Sequence, residues 1–299
     1  MMDSIKNVAV IGLGSLGAQI ALQSAACGYD VAGFDTDEKI FQIQLDRCVA
    51  AFRERGKPSK IDVEKWPEAA NKIRMCQSIS EAVSEADLVI EAVSEKRDIK
   101  LAVWKEIDRG CPKHALLATN SSSMPVSKLE GAVSHPEHCL NLHFYLPVMG
   151  HNMVDIMGGT VTAAEVIAAG QVFVRSLNML PLMVNKEILG FCFNRVWRAV
   201  KKEVLHMWAN NVVDFRDLDR AWMTFAGTQW GPFALMDRVG LDVVYDIEMV
   251  YFNDSGDAGD RPPLALKEKI EAGDLGVKSG RGFYSYPDPE FLQAAFLEP

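Results

Sequence analysis

No run of apolar residues in the sequence approaches the ~20 that a membrane-spanning helix requires. Positive charge is also scarce: 31 Lys and Arg stand against 40 Asp and Glu, a net charge of -9. That balance removes general attraction to nucleic acid or an anionic membrane, so any anionic ligand has to be held locally. The opening residues Met1 to Lys6 lack the cationic lead, apolar stretch and small-residue cleavage site of a secretory signal, and a cytoplasmic location is expected. The six cysteines, Cys27, Cys48, Cys76, Cys111, Cys139 and Cys192, form no Cys-x-x-Cys pair and no zinc-like cluster with histidine. Buried free thiols and no metal site are expected. No internal repeat or low-complexity tract occurs, and Asn253 to Asp260 reads as an exposed loop.

What is present is the composition of a soluble globular protein, 48% hydrophobic and 24% charged, over 299 residues, enough for two domains. Up to about residue 185, short β-rich runs alternate with helical stretches, the pattern of a parallel sheet with crossover helices. The expected strands are Asn7–Gly12, Asp30–Asp35, Ile73–Cys76, Leu88–Ala92, Ala115–Thr119, Cys139–Tyr145, Met153–Met157 and Leu180–Val184. Thr162 to Glu165 has capping-box spacing ahead of an apolar-periodic run. Strand signals fade from Ile188 onward, and Cys192–Trp208 and Val239–Phe252 carry apolar residues at helical spacing. The chain therefore divides into residues 1–187 and a mainly helical part, 188–299.

The apolar run Val8 to Ile11 leads into Gly12, Leu13, Gly14, Ser15, Leu16 and Gly17, and then into a helical pattern from Ala18 to Ala26. In a dinucleotide-binding turn the first glycine permits the tight bend, the second lets backbone approach a pyrophosphate, and the third lets helix and strand pack closely. A lone glycine motif also suits an ordinary α/β loop. Here Asp35 ends the next strand, 23 positions beyond Gly12, near the ~20 expected of the acid that binds ribose hydroxyls. An ionised Asp35 repels the 2′-phosphate of NADP, and Thr36, Asp37 and Glu38 supply no adjacent Arg, so NAD is the expected cofactor. The fold class is then α/β, an N-terminal Rossmann-like doubly wound sheet followed by an all-helical domain.

Oxidation of an alcohol by hydride transfer needs a base for the hydroxyl proton, and histidine is best tuned for it near neutral pH. His114, His135, His138 and His206 sit in surroundings that read as surface or packing positions. In Cys139 to Leu146, alternation puts Leu140, Leu142, Phe144 and Leu146 on one face and Asn141, His143 and Tyr145 on the other. His143 thus lies near a strand end on its polar side, although a structural histidine is the commoner reading of such a position.

From the glycine loop almost to the C-terminus the chain resembles the L-3-hydroxyacyl-CoA dehydrogenase family. The matching stretches are Gly12–Gly17, Val89–Glu95 with Lys100, Asn120–Ser123, His143–Pro147, Gly190–Arg195, Gly231–Asp237 and Gly276–Tyr284. The resemblance implies that His143 is the general base, paired with an acid twelve positions on, and that Ser122 and Asn194 hold the substrate oxygen. It also implies that Glu95, Lys100 and Asn120 border the cofactor, that the helical domain carries a homodimer interface near Trp197, Trp208, Trp222 and Trp230, and that the work is in fatty acid metabolism. Simpler alternatives remain: a turn bond for Ser122, a helix bridge for Asn194, and a surface ion pair for Glu95 with Lys100.

Departures from the family narrow the expectation. The acid is Asp155, one methylene shorter than the family's glutamate, so its strand must lie closer or the dyad is weaker or bridged by water. Leu146 replaces an asparagine, Leu16 a methionine and Lys96 an asparagine. Arg53 to Lys60 would either neutralise CoA phosphates or form a solvated cationic face. The expected reaction is NAD-dependent oxidation of an L-3-hydroxyacyl-CoA. A small free 3-hydroxy acid as substrate, and an idle NAD-binding sensor, stand as alternatives.

Overall fold

A computed structural model describes residues 5–55, 61–148 and 150–298. The chain divides into two compact units, Met1–Cys192 and Phe193–Pro299. The first is built on one eight-stranded sheet with strands β1 (Asn7–Ile11), β2 (Asp30–Phe34), β3 (Arg74–Met75), β4 (Leu88–Glu91), β5 (Leu116–Thr119), β6 (Cys139–Phe144), β7 (Met153–Gly158) and β8 (Leu180–Val184), in the order β3-β2-β1-β4-β5-β6-β7-β8. All eight expected strands are present. Their helices are α1 (Ser15–Ala26), α2 (Ile40–Arg55), α3 (Trp66–Ala70), α4 (Ile79–Val83), α5 (Arg97–Gly110) and α6 (Ala164–Ser176).

β1 to β6 run parallel, β7 turns antiparallel to β6, and β8 is parallel to β7. A parallel sheet has to be covered on both faces, and the alternation within β1 shows how it is done. Val8 and Val10 face one core with Ile20, Trp66, Leu142 and Phe173, while Ala9 and Ile11 face the other with Val89, Trp104, Ile107 and Leu117. The consequence for function is positional: β1, β2, β4, β5 and β6 all end on one edge, and the strand order reverses beside β1, where an open α/β sheet leaves a ligand crevice.

Three local expectations are corrected. Thr162 does not cap α6: Ala163 holds the N-cap position without a side-chain bond, while the Thr162 hydroxyl accepts from Gly159 N (2.7 Å) and donates to Cys139 O (2.6 Å). A tertiary partner has outcompeted the local cap. Cys192 is exposed, unlike buried Cys48, Cys76 and Cys139. Asn253 to Ser255 end a helix and do not belong to a loop, which begins where Gly256 takes φ +66. Residues 56–60 of the Arg53 to Lys60 segment lie outside the described residues.

The second unit comprises α7 (Phe193–Ala209), α8 (Phe215–Ala226), α9 (Pro232–Val239), α10 (Leu241–Ser255) and α11 (Leu264–Glu271) around an aromatic core of Phe215, Phe233, Phe283, Tyr284 and Phe291. Two buried carboxylates tie it together. Asp219 accepts from Phe233 N (2.8 Å), Ala234 N (3.0 Å) and Tyr284 Oη (2.9 Å), which caps α9 from α8. Asp237 accepts from Phe283 N (2.8 Å), Tyr284 N (2.9 Å) and Tyr286 Oη (3.1 Å). Among the described residues no helix is long and apolar enough to cross a membrane.

Candidate active site

The glycine loop follows β1 and opens α1. Gly12 takes φ +93, and a Cβ there would meet Ala92 O at 2.7 Å; a Cβ on Gly17 would collide with the Gly12 carbonyl. These two glycines are required by packing. At Gly14, the N-cap of α1, a Cβ would meet nothing within 4 Å, and no side chain caps the helix. The open approach to uncapped helix amides suits an anion such as a pyrophosphate. Asp35, at the tip of β2, accepts from Leu13 N (2.7 Å) and Asp37 N (3.0 Å), so its carboxylate is pinned to the loop. Gly12, Gly14, Phe34, Asp35, Ala92 and Ile99 line part of a cleft of about 400 Å³. These residues fit NAD, with the acid at the ribose end and the glycines at the phosphates.

Lys100 and Glu95 are not the surface pair that their spacing allowed. Lys100 is 1% exposed and its ammonium donates to Glu91 Oε1 at 2.7 Å and to Val93 O at 3.2 Å, with Glu95 Oε2 at 3.5 Å. Glu91 also accepts from Trp104 Nε1 (3.2 Å), Thr119 Oγ1 (2.9 Å) and Val93 N (2.8 Å). This buried acid at the tip of β4 was missed by the sequence reading, although a glutamate ending the run Leu88 to Ile90 was a visible signal. Glu95 in turn accepts from Ser121 Oγ (2.7 Å) and Ser122 N (3.0 Å). Ser121 performs the turn bonding that Ser122 might have had, accepting from Met124 N at 2.9 Å, and Ser122 is exposed. Asn120 spends its side-chain oxygen on Phe144 N (2.9 Å), which locks the end of β5 to the end of β6.

That lock is next to His143. In the β6–β7 pair His143 and Asp155 are direct cross-strand partners, and His143 Nδ1 lies 3.0 Å from Asp155 Oδ2. The bond is direct, so the shorter acid needs no bridging water. His143 is 4% exposed and Asp155 is fully buried. With Asp155 ionised, Nδ1 carries the proton in neutral imidazole, and Nε2 is the basic nitrogen. Phe191 stacks on the ring at 4.8 Å with 9° between planes, and Tyr145 meets it edge-on at 4.6 Å. Phe191 adopts φ +50, a conformation that residues other than glycine and asparagine seldom take. Its stacking had no signal in sequence, whereas Tyr145 shares the alternation face of His143. Tyr145 Oη donates to the same Asp155 Oδ2 at 2.5 Å. Leu146 is 52% exposed at the end of this segment. Asn194 lies in the first turn of α7, in the second unit.

Two family models match the chain: the NAD binding domain of 3-hydroxyacyl-CoA dehydrogenase over residues 7–188, and the C-terminal domain of the same enzyme over residues 190–286. The chain belongs to the 3-hydroxyacyl-CoA dehydrogenase family. It is an NAD-dependent oxidoreductase. A probable 3-hydroxybutyryl-CoA dehydrogenase from Bacillus subtilis is 31% identical over 287 residues, 95% of this chain and 98% of that protein. The 5-formyl-3-hydroxy-2-methylpyridine 4-carboxylate 5-dehydrogenase of Mesorhizobium japonicum is likewise 31% identical, over 98% of this chain and 94% of that protein. The solved (S)-3-hydroxybutyryl-CoA dehydrogenase PaaH1 from Ralstonia eutropha is 27% identical with a TM-score of 0.85, covering 95% of this chain and all of that one.

Proposed function

We propose that the enzyme oxidises an L-3-hydroxyacyl-CoA to the 3-ketoacyl-CoA, with His143 as general base. The observation that carries this reading is the direct 3.0 Å bond between His143 and buried Asp155. Asp155 fixes the tautomer and stabilises the imidazolium that forms when Nε2 takes the hydroxyl proton. Ser122 and Asn194 position the substrate oxygen by neutral hydrogen bonds. Gly12 to Gly17 and Asp35 would hold NAD, with Glu95, Lys100 and Asn120 bordering it, and NAD would supply the hydride acceptor.

A free hydroxy acid is the second reading. It is favoured by the equal likeness, 31% identity, to an enzyme named for a free pyridine carboxylate, and by Leu146 where the family's asparagine is expected. Purified protein given NAD with 3-hydroxybutyryl-CoA, and separately with free 3-hydroxy acids, decides between them by NADH formation. Turnover on the thioester that vanishes in His143→Ala is the expected result. Tight NAD binding without turnover on either class would leave a binding protein and sink the enzyme reading. The helical unit, which exposes Val196, Val212 and Phe225, is also where we place a homodimer interface, to be checked by sedimentation equilibrium.

A further inference from the structure

We propose that Tyr145 is a positioning residue for the base, holding the Asp155 carboxylate in the rotamer that orients His143 and tempering its pull on the imidazole proton. The inference rests on the reading of His143 as base. Its ground is the way one oxygen is shared. Asp155 Oδ2 takes both the His143 Nδ1 bond, 3.0 Å, and the Tyr145 hydroxyl, 2.5 Å. Asp155 Oδ1 is buried and has no hydrogen-bond partner among the described residues. A carboxylate bonded through both oxygens is fixed by its own donors. Here one oxygen carries the fixing, and an aspartate has χ1 and χ2 free to swing Oδ2 away from the imidazole. The phenol, itself buried and packed edge-on against the imidazole at 4.6 Å, closes that freedom.

The second consequence is electrostatic. A donor on the oxygen that faces an imidazolium spreads the carboxylate's charge and weakens its attraction for the ring proton. Removing the donor therefore makes His143 more basic while leaving its ring less well held. Among the described residues of the first unit, the His143 ring is met by Asp155 of β7, Tyr145 at the end of β6 and the uncharged Phe191 that follows β8. The charged cluster of Glu91, Lys100 and Glu95 on β4 and α5 is closed on itself and on Trp104, Thr119, Ser121 and Ser122, and none of those bonds reaches His143.

The test is Tyr145→Phe, which removes one oxygen from a packed ring. The titration of His143, followed by NMR of ring-labelled histidine in the protein without substrate and assigned with His143→Ala, is expected to move up by about one pH unit, the scale of one hydrogen bond to a charged group. In turnover, kcat is expected to fall roughly tenfold with KM for NAD unchanged, as for a displacement of the base by a fraction of an ångström. The acid limb of kcat/KM moves up with the NMR midpoint. Should Tyr145→Phe fold poorly by circular dichroism, 3,5-difluorotyrosine at 145 keeps the ring and strengthens the donor, and the midpoint should move down. An unmoved His143 titration in either variant overturns the proposal. Absence of turnover in the unaltered protein with a midpoint that moves as stated would defeat the base assignment and leave the coupling standing.

Discussion

Asp155 reaches His143 because the two face each other across β6 and β7, so the missing methylene is made up by strand pairing. The dyad's strength should then lie in charge. Asp155→Asn keeps the size but removes the charge and permits the wrong imidazole tautomer, and kcat should fall by about 10² to 10⁴ while KM for NAD holds. A stopped assay over both substrate classes checks this, and a loss of less than threefold would mean that Asp155 does not serve a base. At this scale much was legible. Asp35 stands out by its spacing from the glycine loop, His143 and Asp155 are singled out by the family resemblance, and Tyr145 lies on the same alternation face as His143. Phe191 was not, because stacking on a ring 48 positions away follows from a left-handed turn that no local pattern announces.

Between β4 and α5 the structure has committed a full ion pair to the interior. Glu91 and Lys100 are each 1% exposed by side chain, so removing one leaves the other buried and uncompensated. Lys100→Met should lower unfolding stability by about 3 to 5 kcal/mol. Adding Glu91→Met relieves the uncompensated carboxylate but strands the Trp104, Thr119 and Val93 donors that Glu91 accepts from, so only a part of the loss should return. Urea denaturation of the two single variants and the double variant reads the coupling, and a double-variant loss equal to the sum of the two single losses would show that the pair is not coupled. Element positions were legible because β1 and β4 are short apolar runs and β6 alternates apolar with polar residues. Partner choice was not: Lys100 has Glu95 five positions away in sequence, but the sheet edge delivers Glu91 closer, at 2.7 Å. The same override took Thr162 from its helix and gave it to Cys139 O.

Across the whole chain, pH acts through the helical unit's buried acids. Burial pushes the Asp219 carboxyl up to about 6 from an ordinary 3.8, against the bonds from Phe233, Ala234 and Tyr284 that pull it down, and Asp237 is raised too. The folded state therefore holds more protons than the unfolded one between pH 4 and 6, and stability falls as pH rises through that window. The change is on the order of 3 kcal/mol for Asp219. Asp260 works the other way: hydrogen bonds from Lys202 and Arg198 hold it below the usual carboxylate range, and its contribution is lost as pH falls below about 4. Thermal scans should show a slope from pH 4 to 6 that flattens in Asp219→Asn. A slope unchanged by that substitution would remove Asp219 as its source. The two-part organisation was legible from the fading of strand signals near Ile188, and the units divide after Cys192. Which acids would be buried was not, because Asp219 sits among Arg216, Asp217 and Arg220, Asp237 is followed by Arg238, and both are enclosed only when the helices pack.

The bond from Leu13 N to Asp35 has a meaning for redesign. In the NAD site proposed above, the carboxylate that would discriminate against a phosphorylated ribose is also a strut of the turn that would seat the pyrophosphate. Attempts to retarget the enzyme to NADP by changing Asp35 alone would loosen the seat along with the selectivity. A working variant would need a replacement acceptor for Leu13 in the same step, which on the proposed reading ties this chain's cofactor preference to the shape of one turn.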